Sequence, residues 1–166
     1  MIDAGIFGED DRLELLEGLI LPMSPQSPEH ADVIQRLTNR LARMLGPAYE
    51  VRPQLPLAAG SASEPEPDLA VVPAGRTHRE HPGSAPLVIE VARDSIRKDR
   101  LLKAGIYARA AVSEYWIVNI ADGCVEVHRD PDAGQYRSAR VFRPGEELAS
   151  SAVPQIVLAV SEVLGI

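Results

Sequence analysis

EPDLAVV (residues 66–72), APLVIEVARDS (85–95) and KDRLLKAGIYARAAVSEYWIVN (98–119) decide how this chain reads. They put one carboxylate, Asp68, at the start of an apolar strand and a second, Glu90, inside another. Charge inside a run destined for burial is costly unless something pairs with it. Leu87 to Ala92 is a continuous apolar run broken only by Glu90, as expected of a strand covered on both faces. Ile96 to Ala111 reads as a helix carrying Asp99 and Lys103 on one face, and Glu114 to Ile120 as the next strand. Strand, helix and strand in that order form a crossover between parallel neighbours. The expected class is α/β, a mixed sheet with one helix on each side and a β-rich C-terminal extension.

Working outward, Arg12 to Leu21 holds Glu17-Gly18 between apolar runs, which predicts a tight hairpin. Glu29 to Leu45 has apolar residues at helical spacing; Ser27 is the expected N-cap, Pro28 the first helical residue, and Gly46-Pro47 the stop. Tyr49 to Leu57 alternates as a strand whose prolines suggest a sheet edge. Asp68 to Val72 predicts a strand and residues 73–86 a surface loop. Asp122-Gly123 signals a hairpin joining Glu114–Ile120 to Cys124–Arg129, and Gln135 to Phe142 adds a strand. The tail, Ile156 to Leu164, is expected to form a short helix.

Residues 1–166 are expected to make a single domain, large enough for a hydrophobic core. No run approaches the roughly 20 apolar residues that span a bilayer. The first residues are acidic, without a basic n-region or cleavable apolar core, so no secretory signal is expected, and the lone cysteine, Cys124, excludes an internal disulfide. A cytoplasmic location is expected. The net charge of −7 argues against a generic nucleic-acid coat, but not against an enzyme with a local basic patch.

Hard divalent cations take carboxylate oxygens, water and substrate phosphate. Asp68 and Glu90 converge if their strands are neighbours, and the peptide oxygen of Val91 or Ala92 is a further donor. Such a site acidifies a bound water and offsets charge on a scissile phosphate. A nearby lysine stabilises the transition state electrostatically.

This ordered set resembles the PD-(D/E)xK nuclease superfamily and, within it, the bacterial Uma-two family of endonucleases. The residues carrying the resemblance are Glu66-Pro67-Asp68, Val88 to Ala92, Ser95, Asp99, Lys103, Tyr107, Ala108 and Val112 to Val118. Glu14 to Gly18, Met23 to Pro25, His30 and Gln54 support it upstream. The resemblance implies a restriction-endonuclease-like fold, Asp68 and Glu90 as ligands of Mg²⁺ or Mn²⁺, and DNA as substrate. The superfamily lysine stands two residues after the second acid, where this chain has Ala92. Lys103 matches the helical lysine of the Uma-type pattern instead, with Asp99 either orienting it or supporting the site from behind the ligands. Tyr107, His30 and Glu29 are supporting candidates. A homodimer is expected, since two sites could then cut two strands.

Each residue also has a plainer reading. Asp68 can be a turn residue, and Glu90 can pair with Arg93, Arg97 or Lys103. Asp99 and Lys103 have the i, i+4 order of any exposed helix. Tyr107 suits core packing, and Glu29 and His30 open a helix where an acid is favoured by the dipole. Arg93, Arg97, Lys98 and Arg100 are equally phosphate contacts or a solvated helix entry. His78, Glu80 and His81 lack zinc-ligand spacing, and there is neither a nucleophile elbow nor a phosphate-binding glycine loop. The rival functions are a nuclease-like fold without catalysis, used for binding or oligomerisation, and a hydrolase of small phosphate esters.

Overall fold

The computed structural model describes residues 12–23, 25–75 and 80–166. Strands β1 (Leu13–Leu16) and β2 (Leu19–Pro22) form the expected hairpin. Glu17 and Gly18 both have positive φ, 53° and 78°, as the tightest hairpin turn requires. Helix α1 (Pro28–Leu45) begins where Ser27 Oγ accepts the His30 N–H at 3.2 Å. It buries Val33, Ile34, Leu37, Leu41 and Leu45, each worth about 1.5–3 kcal/mol when fully withdrawn from water.

Six strands follow in chain order across one sheet: β3 (Tyr49–Pro53), β4 (Leu69–Pro73), β5 (Leu87–Ala92), β6 (Glu114–Asn119), β7 (Cys124–Asp132) and β8 (Gln135–Phe142). All neighbours are antiparallel except β5 and β6, which pair in parallel with Glu90 beside Ile117. The crossover between them is α2 (Ile96–Lys98), a π-helical turn (Asp99–Lys103) and α3 (Ala104–Arg109). The chain ends with a separate two-stranded pair, β9 (Glu147–Ala149) and β10 (Val157–Ala159), and helix α4 (Val160–Leu164).

Alternation along the strands divides the core between the two faces of the sheet. On one face α1 and α4 cover Leu69, Val71, Leu87, Ile89, Val91, Trp116 and Val118. On the other, Tyr107 of α3 packs with Ala70, Val72, Val88, Ala92, Tyr115 and Ile117. Glu90, between Val88 and Ala92, shares this second face. The expected α/β mixed sheet, with helices on both sides, is the observed architecture.

The C-terminal extension is tied to the sheet by Glu114, whose buried carboxylate accepts from Trp116 Nε1 (2.9 Å), Ser150 Oγ (2.7 Å), the Ser151 N–H (2.9 Å) and Arg129. Those donors hold its carboxyl below the usual range even though burial pushes the other way.

Three expectations need correction. The strand read over Tyr49 to Leu57 stops at Pro53, because Gln54 turns the chain with φ 52° and donates its N–H to the Asp68 carbonyl. The tail is not all helix, since Val157 to Ala159 pair with β9, an unforeseen strand. The helix over Ile96 to Ala111 contains a π turn and ends at Arg109. Of the polar loop, His78 lies outside the described residues, while Glu80 and His81 are exposed, as a solvated loop requires. Among the described residues no helix is long and apolar enough to cross a membrane.

Candidate active site

The register of β4 against β5 places Leu69 opposite Ile89. Continued by one residue, it sets Asp68 across from Glu90 on the same face. Asp68 is then fixed from two sides: Oδ2 accepts the Val91 N–H at 2.8 Å, and Oδ1 lies 3.0 Å from His30 Nε2 on α1. The N-cap that starts α1 at Ser27 thus delivers His30 to the strand acid.

Glu90 is held from the helical crossover. Its Oε1 accepts from Lys103 Nζ at 2.9 Å and from the Tyr107 hydroxyl at 2.6 Å. Among the described residues no hydrogen bond reaches its second oxygen, Oε2. The π turn carries both Asp99 and Lys103, and the Ala104 N–H bonds the Asp99 carbonyl five residues back. Such turns are often found at functional sites. Asp99 does not pair with Lys103; its Oδ2 accepts from Ser95 Oγ at 2.7 Å. The Tyr107 ring lies in the core, as its packing reading expects, and its hydroxyl reaches Glu90.

His30, Asp68, Glu90, Ser95, Asp99 and Lys103 line one cleft of about 430 Å³, which also takes in Glu14, Glu66, Arg12, Arg93 and Lys98 but not Tyr107. Glu29 is not part of its lining; it is exposed and pairs with Arg93 at the rim. Of the other basic candidates, Arg100 is committed to Glu126 at 2.5 Å, and Arg97 is exposed and outside the cleft.

The residue that sequence reasoning missed is Glu14 of β1. It is 2% exposed, and it meets Lys98 Nζ at 2.7 Å and Lys103 Nζ at 3.1 Å. In the sequence it falls within the upstream run that supports the resemblance, with no role in the site assigned to it. The available signal was the cost of an acid on a strand that folds against the domain.

Burial dominates the electrostatics. It pushes the Glu90 carboxyl up to about 8; Lys103 partly opposes this, and the nearby Asp68 and Asp99 charges reinforce it. Burial likewise raises Asp99. For Lys103 burial works against the charge, yet Glu90, Glu14 and Asp99 outweigh it and hold the ammonium above the ordinary lysine range. For Glu14 burial is outweighed in turn by Lys103 and Lys98, which lower its carboxyl.

Glu14, Asp68, Glu90 and Asp99 are all buried, while among the described residues Lys103 and the half-buried Lys98 are the only ammonium groups beside them. That surplus of buried carboxyl groups suits a divalent cation, whose charge favours their ionised form. Among the described residues no group of three or more His, Cys, Asp or Glu side chains forms a ready-made cation cage. The donor set that fits is two carboxylates, Asp68 and Glu90 with its open Oε2, completed by peptide oxygen, solvent and substrate phosphate, as Mg²⁺ commonly accepts.

A solved protein from Anabaena variabilis ATCC 29413, described as a "putative nuclease belonging to DUF820", has the same fold. It superposes with a TM-score of 0.78 at 15% identity, over 98% of this chain and 95% of that one. No curated protein matches. The sequence pattern of the Uma2 family, whose description is "Putative restriction endonuclease", matches residues 2–161. With the restriction-endonuclease-like sheet in place and that match spanning nearly its whole length, the chain belongs to the Uma2 family.

Proposed function

We propose that this protein is a divalent-cation-dependent endonuclease that hydrolyses DNA phosphodiester bonds, with Asp68 and Glu90 as the ligands of Mg²⁺ or Mn²⁺. The observation that carries this reading is the convergence of Asp68, Glu90 and Lys103 in a single cleft, from the residue just before β4, from β5 and from the π turn. When bound, such a cation supplies positive charge at the scissile phosphate and acidifies a water molecule.

The chain's own groups do the rest. His30 and the Val91 N–H fix Asp68, so that its carboxylate need not reorganise. Lys103 and Tyr107 fix Glu90 through one oxygen and leave the other toward the cleft. Lys103 is held cationic by three acids, so its role is electrostatic rather than that of a proton acceptor. It supplies from the helix the positive charge that the superfamily pattern places on the strand, where Ala92 stands. Arg12, Arg93 and Lys98 line the same cleft and suit phosphate contact.

Incubation of supercoiled plasmid with Mg²⁺ or Mn²⁺ tests the proposal. Wild type should nick or linearise it, and D68A and E90A should be at least about a hundredfold slower while folded. Variants as active as wild type would contradict it, and a folded, cation-saturated but inert wild type would favour the binding-module reading. Activity on nucleotides alone would favour a small-ester hydrolase. A cytoplasmic homodimer, in which paired clefts act on opposite strands, completes the proposal, and sedimentation tests its stoichiometry.

A further inference from the structure

The chain contains two lysines, Lys98 and Lys103, and otherwise uses arginine for positive charge. Both lysines end on the same carboxylate. Lys98 Nζ donates to Glu14 Oε1 at 2.7 Å, and Lys103 Nζ lies 3.1 Å from Glu14 Oε2. The Glu14 side chain is 1% exposed and sits on the cleft wall. A compact ammonium can stand between two carboxylates where a planar guanidinium fork cannot.

Glu14 does not belong to the six-stranded sheet. Its hairpin is docked on the loop that leads into Asp68: the Glu64 N–H donates to the Leu15 carbonyl at 2.7 Å, the Gly18 N–H to the Ala62 carbonyl at 2.7 Å, and the Glu17 N–H to Ser63 Oγ at 3.0 Å. The hairpin is therefore registered to the strand that carries the first acid.

We propose that Glu14 is a positioning residue which holds Lys103 in the cleft independently of Glu90. The inference rests on the nuclease reading, in which Glu90 shares its charge with a cation. Lys103 Nζ is 2.9 Å from Glu90 Oε1, so a dication drawn to Glu90 weakens that attraction and repels the ammonium. With Glu90 as its only partner, Lys103 would swing out as the cation arrives. Glu14 keeps it in place, and Lys98 balances the second oxygen of Glu14 so that this carboxylate stays ionised. Glu14 thus lets one cleft hold a cation and an ammonium side by side.

The two lysines make the test direct. Full-length protein labelled with ¹³C,¹⁵N-lysine gives only two side-chain ammonium signals, assigned with K98R. In wild type the Lys103 signal should stay protected from solvent exchange when Mg²⁺ is added to saturation, and in E14Q it should be lost on the same addition. In E90Q without metal it should persist, and in the E14Q/E90Q double variant it should vanish. In cleavage assays E14Q should lower kcat about tenfold or more with KM within about twofold, and E14D should recover part of the loss. The proposal is overturned if E90Q alone releases Lys103 as fully as the double variant, or if E14Q keeps the signal in Mg²⁺. If the double variant does not fold, the Mg²⁺ response of E14Q decides. If Mg²⁺ perturbs no resonance in wild type, the nuclease reading falls, and the E90Q spectrum still decides the role of Glu14.

Discussion

Replacing Lys103 with Met keeps most of the buried stem and removes the charge, so the cost should depend on pH in a defined way. In wild type the Glu90 carboxyl is raised from 4.5 to about 8. A raised acid contributes stability in full below its unfolded value and loses it as pH rises, at about 1.4 kcal/mol per unit, until the folded value is reached. For wild type that loss ends near pH 8. Lys103 is the largest influence holding Glu90 down, so in K103M the carboxyl moves higher and the loss continues beyond pH 8. At pH 7 the variant should be weaker by about 1.5–3 kcal/mol, the worth of the charged contacts to Glu90 and Glu14. Between pH 8 and 9.5 the gap should widen by about 2 kcal/mol. Urea unfolding at pH 7 and 9.5, followed through the fully buried Trp116, measures both. A gap that stays constant or narrows over that interval would refute the electrostatic account of the pair.

Cation binding should carry the same signature: because protons compete for Glu90, the apparent Mg²⁺ affinity by calorimetry should rise about tenfold per pH unit below 8 and level off above. Y107F removes the hydroxyl that donates to Glu90 at 2.6 Å, so the midpoint of that profile should move to higher pH, with unfolding stability changed by only about 1 kcal/mol. E114A strands the indole N–H, Arg129 and the donors at Ser150 and Ser151; denaturant unfolding should show a loss of about 3–5 kcal/mol, whereas cation affinity should change little.

Much of this frame was legible in the chain because local signals agreed with the global fold. Ser27-Pro28 set the start of α1, the apolar run of β5 set a strand covered on both faces, and Asp122-Gly123 set the turn from β6 to β7. Glu90 was legible as a candidate for the site because it was the only charge in that run. Other features depend on tertiary packing that no local pattern reports. The π turn carries both Asp99 and Lys103 into buried positions, whereas Asp99 with Lys103 at i, i+4 looks the same on a solvated helix. β9 and β10 have three residues each, too few for alternation to register. Glu14 alternates with leucines as a hairpin residue on a wet face would, and only docking of the hairpin on residues 62–64 buries it.

The central claim, that Asp68 and Glu90 hold a divalent cation beside Lys103, is tested most directly by a crystal structure with Mn²⁺ and its anomalous map. One strong peak is expected within coordination distance, about 2.0–2.3 Å, of a carboxylate oxygen from each of Asp68 and Glu90, with Lys103 Nζ still on Glu14. A saturated crystal with no peak between the two acids, or with Mn²⁺ bound elsewhere in the protein, would contradict it.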